Sequence, residues 1–590
     1  MRRCGRWAAA SLVASAVAVL AGACAPGDTR PSALLITLDT TRVDALSSYG
    51  APEGVTPNLD ALAEESVRYT RAYTTAPITL PSHASMLTGL YPPRHTVRDN
   101  GIAPLPSSAR TLSELAASEG IETAAFVAAV VLDRRFGLDQ GFEHWSQPGH
   151  VSLRLWSHAT ERPARAVVAD AVRWLRGRSS DRPFFLWVHL FDPHGPYEPP
   201  ERFRGRFEAS SPARGYLGEV ASADAEIGRL VATLQELGEL DRTTIVVVAD
   251  HGEAFGEHEE ISHGTYVWET TMRVPLLVRH ADGHRAGEVS SEVVSVVDAF
   301  PTLLGALALD VPPDVDGLDL RAPVDPARGV YFESYMGFLA FSWNPLSGWV
   351  DRDAKLVHAG RARLFDPVAD PGEARDLSEQ RPGDVERLER ALRTVAAASA
   401  LAPDVDEDLD AELAAGIEAL GYVSVPGARD ELPVPGDATG LPDPLERRQQ
   451  AADAIAAMEL NNAGRFDEAE RILRGLIEGN PRNFFALDRL SIALIERERW
   501  AEAAEVLEQL VREGPAWSHS SFNLGLALLE VDRETDALDA FRRACELDPA
   551  RRVDLAEKLR RLRDEGENAT ADRIAEALAH ELPGEPVGAR

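Results

Sequence analysis

Ala33-Leu34-Leu35-Ile36-Thr37-Leu38, closed by Asp39, is the stretch on which the fold turns. One hydroxyl among five apolar side chains leaves it no polar face, the pattern of a strand covered on both sides in a parallel sheet. Two later runs have the same build. Residues 183–190 empty into Phe191-Asp192-Pro193-His194, and residues 243–249 into Asp250-His251-Gly252-Glu253. Residues 123–131 and 273–278 read as further strands, and helices predicted at 58–66, 108–119, 163–176 and 216–237 alternate with them. That order predicts an α/β domain, a mostly parallel sheet flanked by helices. The carboxyl ends of parallel strands share one edge, where ligands bind. Asp39, Asp192 with His194, and Asp250 with His251 are expected to meet there.

Ala76-Pro77-Ile78-Thr79-Leu80-Pro81-Ser82-His83-Ala84-Ser85-Met86-Leu87-Thr88-Gly89 adds a reactive group to that edge. A proline-set turn delivers Thr79, and Ser82 is placed to cap a helix through residues 84–87. A hydroxyl at a helix N-terminus faces unpaired backbone N–H groups, which favour a bound anion such as phosphate or sulfate.

The chain has 590 residues, 44% of them apolar, so two or more domains are expected. Its formal net charge of −33 argues against nucleic acid as a partner. Lysine occurs only at Lys355 and Lys558. Cys4, Cys24 and Cys545 are too few and scattered for a disulfide framework or a zinc cluster, and Cys545 reads as a buried, inert thiol. Arg2, Arg3 and Arg6 precede an apolar run, and Ala21-Gly22-Ala23 leads into Cys24, the layout of a secretory signal. The leader resembles that of bacterial lipoproteins, in which the cysteine is lipidated, with Ala21 standing where leucine is usual. A signal peptide over 1–23 is therefore expected, on an exported protein, periplasmic or at the cell surface. A lipid on Cys24 would tether it to the membrane without spanning it.

Residues 326–425 complete the catalytic region as a smaller α+β piece, with a strand and turn at 364–373 and a helix at 385–397. A linker follows over 426–445, within a Pro/Gly/acidic stretch that holds one short helix at 409–420. In the tail, Pro481, Pro515 and Pro549 recur every 34 residues, and so do Ala469, Ala503 and Ala537. That period resembles tetratricopeptide repeats, placed over 446–585, with a capping helix after residue 551 and an unidentified protein or peptide as partner.

The catalytic half, 31–325, resembles the sulfatase family of the alkaline-phosphatase-like superfamily. The likeness rests on Leu38-Asp39-Thr40-Thr41-Arg42-Val43-Asp44, Thr56-Pro57-Asn58, Pro81-Ser82 with Leu87-Thr88-Gly89, Asp192-Pro193-His194-Gly195, Asp250-His251-Gly252-Glu253, and Trp268-Glu269 with Arg273-Val274-Pro275. The resemblance implies a divalent ion (Ca, Mg, Mn or Zn) on Asp39, Asp250, His251 and Thr79, with Thr79 as nucleophile. His194 and His263 are implied as catalytic partners, and His83 and Asn100 as substrate contacts. Asp192, His194 and His263 could bind a second metal. Family sulfatases carry Cys or Ser, converted to formylglycine, where this chain has Thr79, and arginine where it has His83. No formylglycine is expected, so phosphate or phosphodiester chemistry is the first reading. A conventional sulfuric ester hydrolase is the second, and an inactive ligand-binding domain on a repeat scaffold the third. Lys355 is carried as a further site candidate.

Overall fold

The computed structural model describes residues 30–100, 103–148, 161–178, 182–207, 209, 211–402, 404, 432–547 and 551–579. The leader with Cys24, the helix expected at 409–420 and Pro549 lie outside them. In chain order the strands are β1 (Ser32–Leu38), β2 (Val67–Tyr73), β3 (Glu122–Phe126), β4 (His144–Ser146), β5 (Phe184–Leu190), β6 (Thr243–Ala249), β7 (Ala254–Phe255), β8 (Ile261–Ser262), β9 (Arg273–Arg279) and β10 (Val289–Ser295). Eight of them form one sheet in the order β10-β2-β9-β6-β1-β5-β3-β4, and β7 with β8 makes a separate hairpin. Only β9 runs against its neighbours, so the sheet is mostly parallel, as the sequence predicts. Every residue of β1 is buried between β5 and β6. Leu38 is in register with both Leu190 and Ala249, which sets the next residues, Asp39 and Asp250, side by side beyond the sheet edge. β2 and β10, which the sequence reading passed over together with the short β4, carry Arg68, Arg71 and Glu292 and form the outer pair at one edge of the sheet. Their polar residues hide the apolar run that marks a central strand.

Helices Pro57–Glu64, Leu112–Ser118, Ala164–Gly177 and Tyr216–Glu236 accompany the sheet. β2 leads into the helix Thr79–Thr88, all ten residues of which are buried. A second, antiparallel sheet, β11 (Val330–Ser334), β12 (Leu346–Val350), β13 (Lys355–His358) and β14 (Ala362–Phe365), with helix Pro382–Ala396, is the α+β piece.

Helix pairs Arg448–Asn462/Phe466–Gly479, Phe484–Ile495/Trp500–Glu513 and Ser518–Glu530/Glu534–Leu547 form the repeats. Ala469, Ala503 and Ala537 are all 0% exposed, because a methyl group is what two closely crossing helices leave room for. The expected single capping helix is a fourth pair, Arg551–Asp564 and Asn568–Ala579, broken at Gly566 with φ 94°. Among the described residues no helix is long and apolar enough to cross a membrane.

The repeats do not hang free on their linker. One apolar core runs from Tyr335, Phe341 and Trp343 of the catalytic region into Phe485, Leu490 and Ala454 of the repeats. Phe341 and Phe485 meet with ring centroids 5.8 Å apart, and the Asn480 side chain donates to the Phe341 carbonyl at 2.6 Å. Calorimetry is expected to show both parts unfolding in one transition, lowered as a unit by Phe485→Ala, a type of change that costs about 3–5 kcal/mol. Two transitions, only the repeat one moving, would contradict the shared core.

Candidate active site at the sheet edge

β1 and β6 end side by side, and their ladders run one step further: Asp39 N–H donates to Leu190 O at 2.9 Å and Asp250 N–H to Leu38 O at 3.2 Å. Both carboxylates are completely buried. Thr40, a β-branched residue, lies between β1 and the next turn at φ 45°, a strained left-handed conformation. Its backbone is held there by Asp250 Oδ1, which accepts from Thr40 N–H at 3.2 Å, and by the Tyr216 hydroxyl, which donates to Thr40 O at 2.9 Å. The strain turns an amide toward Asp250. Gly252 follows because a Cβ there would stand 2.0 Å from the Thr270 carbonyl oxygen.

The helix Thr79–Thr88 brings its N-terminus to these carboxylates. Thr79 is its first residue and Pro81 lies in its first turn, where a missing N–H costs nothing. Ser82 does not cap it, contrary to the sequence reading. The Ser82 hydroxyl is buried within the helix, accepts from Thr74 Oγ1 at 3.0 Å and donates to Asp250 O at 2.8 Å. Asn100 takes the capping role instead, its Oδ1 accepting from Leu80 N–H at 2.8 Å. Asn100 Nδ2 is buried without a partner.

Thr79 Oγ1 lies 3.5 Å from His251 Nε2. The His251 Nδ1–H donates to Gly252 O at 2.9 Å, so the neutral ring turns a lone pair at Nε2 toward Thr79. Burial, and then the neighbouring His263, hold His251 well below the ordinary imidazole range. Asp39 Oδ1 and Asp250 Oδ2 are buried with no hydrogen-bond donor. Burial pushes both carboxyls up, Asp39 to about 8. Two anionic oxygens and an imidazole lone pair, closely grouped and without donors, fit a divalent cation.

His83, His189 and Asp250 form a second close group. Hydrogen bonding argues against its use as a ligand set. His189 Nδ1 accepts from Ala128 N–H at 3.3 Å, so Nε2 carries the proton and donates to Asp39 Oδ2 at 3.2 Å. His189 thus orients a ligand, as outer-shell imidazoles do. His83 donates from Nδ1 to Thr79 O at 2.8 Å, and burial with His189 nearby keeps it neutral.

His263 comes from the end of the β7–β8 hairpin. Its Nδ1 lies 3.1 Å from Glu253 Oε1, and its ring centroid 4.4 Å from that of His251 and 5.3 Å from that of His194. Burial opposes its charge, but Glu253, Asp39 and Asp250 outweigh that and raise its pKa above the ordinary value. Arg42 fixes the hairpin, donating to Asp44 at 2.8 Å, Glu257 at 2.7 Å and the Glu253 carbonyl at 3.1 Å.

Of the expected residues, Asp39, Thr79, His83, Asn100, Asp250, His251 and His263 converge, and His194 stands beside His263. Asp192 does not join them. Its Oδ2 accepts from Ala164 N–H at 2.5 Å, at the start of helix Ala164–Gly177, and no close ligand group of Asp192, His194 and His263 exists among the described residues. Lys355 is elsewhere too, buried between Glu269 Oε1 at 3.2 Å and Glu373 Oε1 at 2.8 Å. His258 stacks on Trp268, with centroids 4.0 Å apart. The residues missed were His189 and Glu161. A histidine inside the apolar run Phe184–Leu190 was the available signal for the first, since a buried imidazole needs a partner.

Residues 31–309 match the Sulfatase family, and residues 456–516 and 489–552 match the tetratricopeptide repeat. The ulvan-active sulfatase of Formosa agariphila is 27% identical over 405 residues, 59% of this chain and 77% of that protein. A solved structure containing its substrate, D-glucosamine-2-N,6-O-disulfate, superposes with TM-score 0.54 at 21% identity, covering 64% of this chain and 100% of that one. The phosphonate monoester hydrolase of Agrobacterium radiobacter shares the fold with TM-score 0.52 at 23% identity, over 62% of this chain and 96% of its own.

Proposed function

We propose that the α/β half of this chain is a sulfatase-family ester hydrolase that acts on sulfate esters of an alcohol, with Thr79 Oγ1 as the attacking atom. The observation that carries the reading is Thr79 at the first turn of a buried helix, 3.5 Å from His251 Nε2 and beside two carboxylate oxygens that lack donors. The sulfate preference is supported by the sequence relatives, which are named as sulfatases. Threonine at this position departs from formylglycine chemistry, and the shared fold of a phosphonate monoester hydrolase supports phosphorus esters as the second substrate class.

Asp39, Asp250, His251 and Thr79 would hold the divalent ion, which when bound supplies positive charge to the attacked group and acidifies the threonine hydroxyl. The rest of the chemistry falls to the chain. The Asn100 Nδ2–H, buried without a partner, and the positive end of helix Thr79–Thr88 would serve the charge that develops on the attacked group. His189 keeps Asp39 turned inward. His263, held through Nδ1 by Glu253 and raised in pKa, keeps a proton at Nε2 for the leaving oxygen. His194, stacked on Phe191 with centroids 4.3 Å apart, lines the way out for the alcohol. The leader ending at Cys24 supports an exported, lipid-tethered enzyme, and the repeats support recruitment of a protein partner.

Full-length protein loaded in turn with Ca, Mg, Mn and Zn and offered an aryl sulfate, phosphate monoester, phosphate diester and phosphonate decides the substrate class. The highest kcat/KM is expected on the sulfate. A phosphorus ester turned over faster with every metal would overturn the sulfate assignment, and no turnover of any ester would overturn the enzyme reading.

A further inference from the structure

A cavity of about 450 Å³ opens next to His194, walled by Phe191, Pro163, Pro196 and Pro200. Its volume and largely apolar lining suit a small organic group. Its charge is one-sided. Glu161, Asp192, Glu198 and Glu219 all line it, and Arg162 is the one basic side chain among them. Arg162 is already engaged, donating to Asp170 Oδ2 at 2.5 Å and to the Val127 and Ser146 carbonyls at 3.1 and 3.2 Å.

Glu161 gives the independent sign of a ligand. Its carboxylate is buried in the cavity wall, and neither Oε1 nor Oε2 has a hydrogen-bond partner. Glu219 is 6% exposed, and the neighbouring Asp192 adds to the effect of burial in raising its pKa to about 8. A buried carboxylate without donors calls for a cation. A bare metal ion does not fit: these carboxylates do not approach one another closely enough to share one, since the close ligand groups among the described residues both lie at the catalytic centre. A cation large enough to reach several walls at once does. Phe191, stacked on His194 with centroids 4.3 Å apart, completes the apolar part of the wall.

The cavity is joined to the catalytic centre through His194, His263 and His251, whose successive ring centroids are 5.3 and 4.4 Å apart. The cavity therefore lies on the side of the centre from which His263 would protonate the leaving oxygen. We propose that this cavity is the leaving-group subsite and that it selects esters whose alcohol carries an ammonium group, held by Glu161 and Glu219. This rests on the ester-hydrolase reading above.

The test uses two aryl sulfates, one with a para trimethylammoniomethyl group and one with the neutral, isosteric neopentyl group, and their phosphate counterparts. The cationic ester is expected to have the higher kcat/KM by at least about tenfold, about 1.4 kcal/mol. The ratio should fall to near one in Glu161→Gln and in Glu161→Gln/Glu219→Gln. The single variant serves if the double one loses its helical circular dichroism. Equal or reversed preference in the wild type, or a ratio unmoved by either variant, overturns the proposal. If none of the esters is turned over, the hydrolase reading falls by itself, and titration calorimetry with benzyltrimethylammonium chloride, against benzyl alcohol, still decides the subsite. Binding of the cation alone, weakened about tenfold by Glu161→Gln, supports it, and no heat from the wild type overturns it.

Discussion

Thr79→Ala is expected to lower kcat at least about a thousandfold, roughly 4 kcal/mol of barrier, on whichever ester the enzyme turns over best. The change removes the hydroxyl and one methyl group and leaves the backbone in place. Thr79 Oγ1 reaches His251 Nε2 at 3.5 Å, and the helix that starts there is capped by Asn100. The melting temperature should therefore stay within a few degrees of wild type, and KM should change far less than kcat, because ground-state contacts remain. Thr79→Ser, which keeps the hydroxyl and loses a methyl group, is expected to retain activity within about tenfold of wild type. A kcat for Thr79→Ala near that of wild type, with only KM raised, would reduce Thr79 to a positioning residue and leave attack to water.

The second large effect is on stability. In metal-free protein, Asp39 keeps its proton up to about pH 8, against 3.8 for the free side chain, and Asp250 is raised as well, both by burial first. Between those pH values the folded protein binds protons that the unfolded chain has released. Raising the pH therefore favours unfolding, with full stability kept below the ordinary carboxylate range and several kcal/mol lost, in order of magnitude, as pH approaches 8. A bound divalent ion reverses the sign, since it favours the ionised carboxylates and binds only the folded state. Buried histidines held low in pKa, His83, His189 and His251 among them, act in the opposite sense over this range, so the effect is read against Asp39→Asn: in chelator the wild type should lose melting temperature relative to that variant from pH 5 to 8, and saturating metal should produce its largest upward shift at the alkaline end. Asp39→Asn should also abolish most of the metal shift and eliminate activity. A chelated protein that instead grows more stable from pH 5 to 8, with Asp39→Asn following the same curve, would falsify the paired-carboxylate account of this centre.

How much of this was legible in sequence varies with range. Asp39, Asp250 and His251 could be placed because each follows directly on an apolar run, and parallel strands deliver their ends to one edge whatever surrounds them. Thr79 was legible for a similar reason: a proline turn before a helix fixes which residue meets the edge. Asp192 also follows such a strand, and the same rule misplaced its carboxylate, because helix Ala164–Gly177 offers it an unpaired N–H. Which of several strand-end carboxylates finds an amide and which is left bare depends on helices that arrive from elsewhere in the chain. Asn100 capping Leu80 and Lys355 caught between Glu269 and Glu373 are pairings of the same distant kind. β2 was hidden by its own arginines. The repeat period was plain from proline and alanine spacing, but nothing in that spacing indicated that Phe485 would rest on Phe341.

That contact bears on how the molecule is made. Synthesis runs from the N-terminus, and domains fold as they emerge. More than a hundred residues separate Phe341 and Trp343 from Phe485, and the rings that cover the first pair leave the ribosome last. During that interval the catalytic half presents an uncovered aromatic surface, together with the hairpin whose Glu259 later pairs with Arg448 at 2.9 Å. A nascent chain stalled or cleaved in the interval would be sticky and short of its final geometry. The repeat array thus acts on its own polypeptide first, as a later-made cover for the catalytic half.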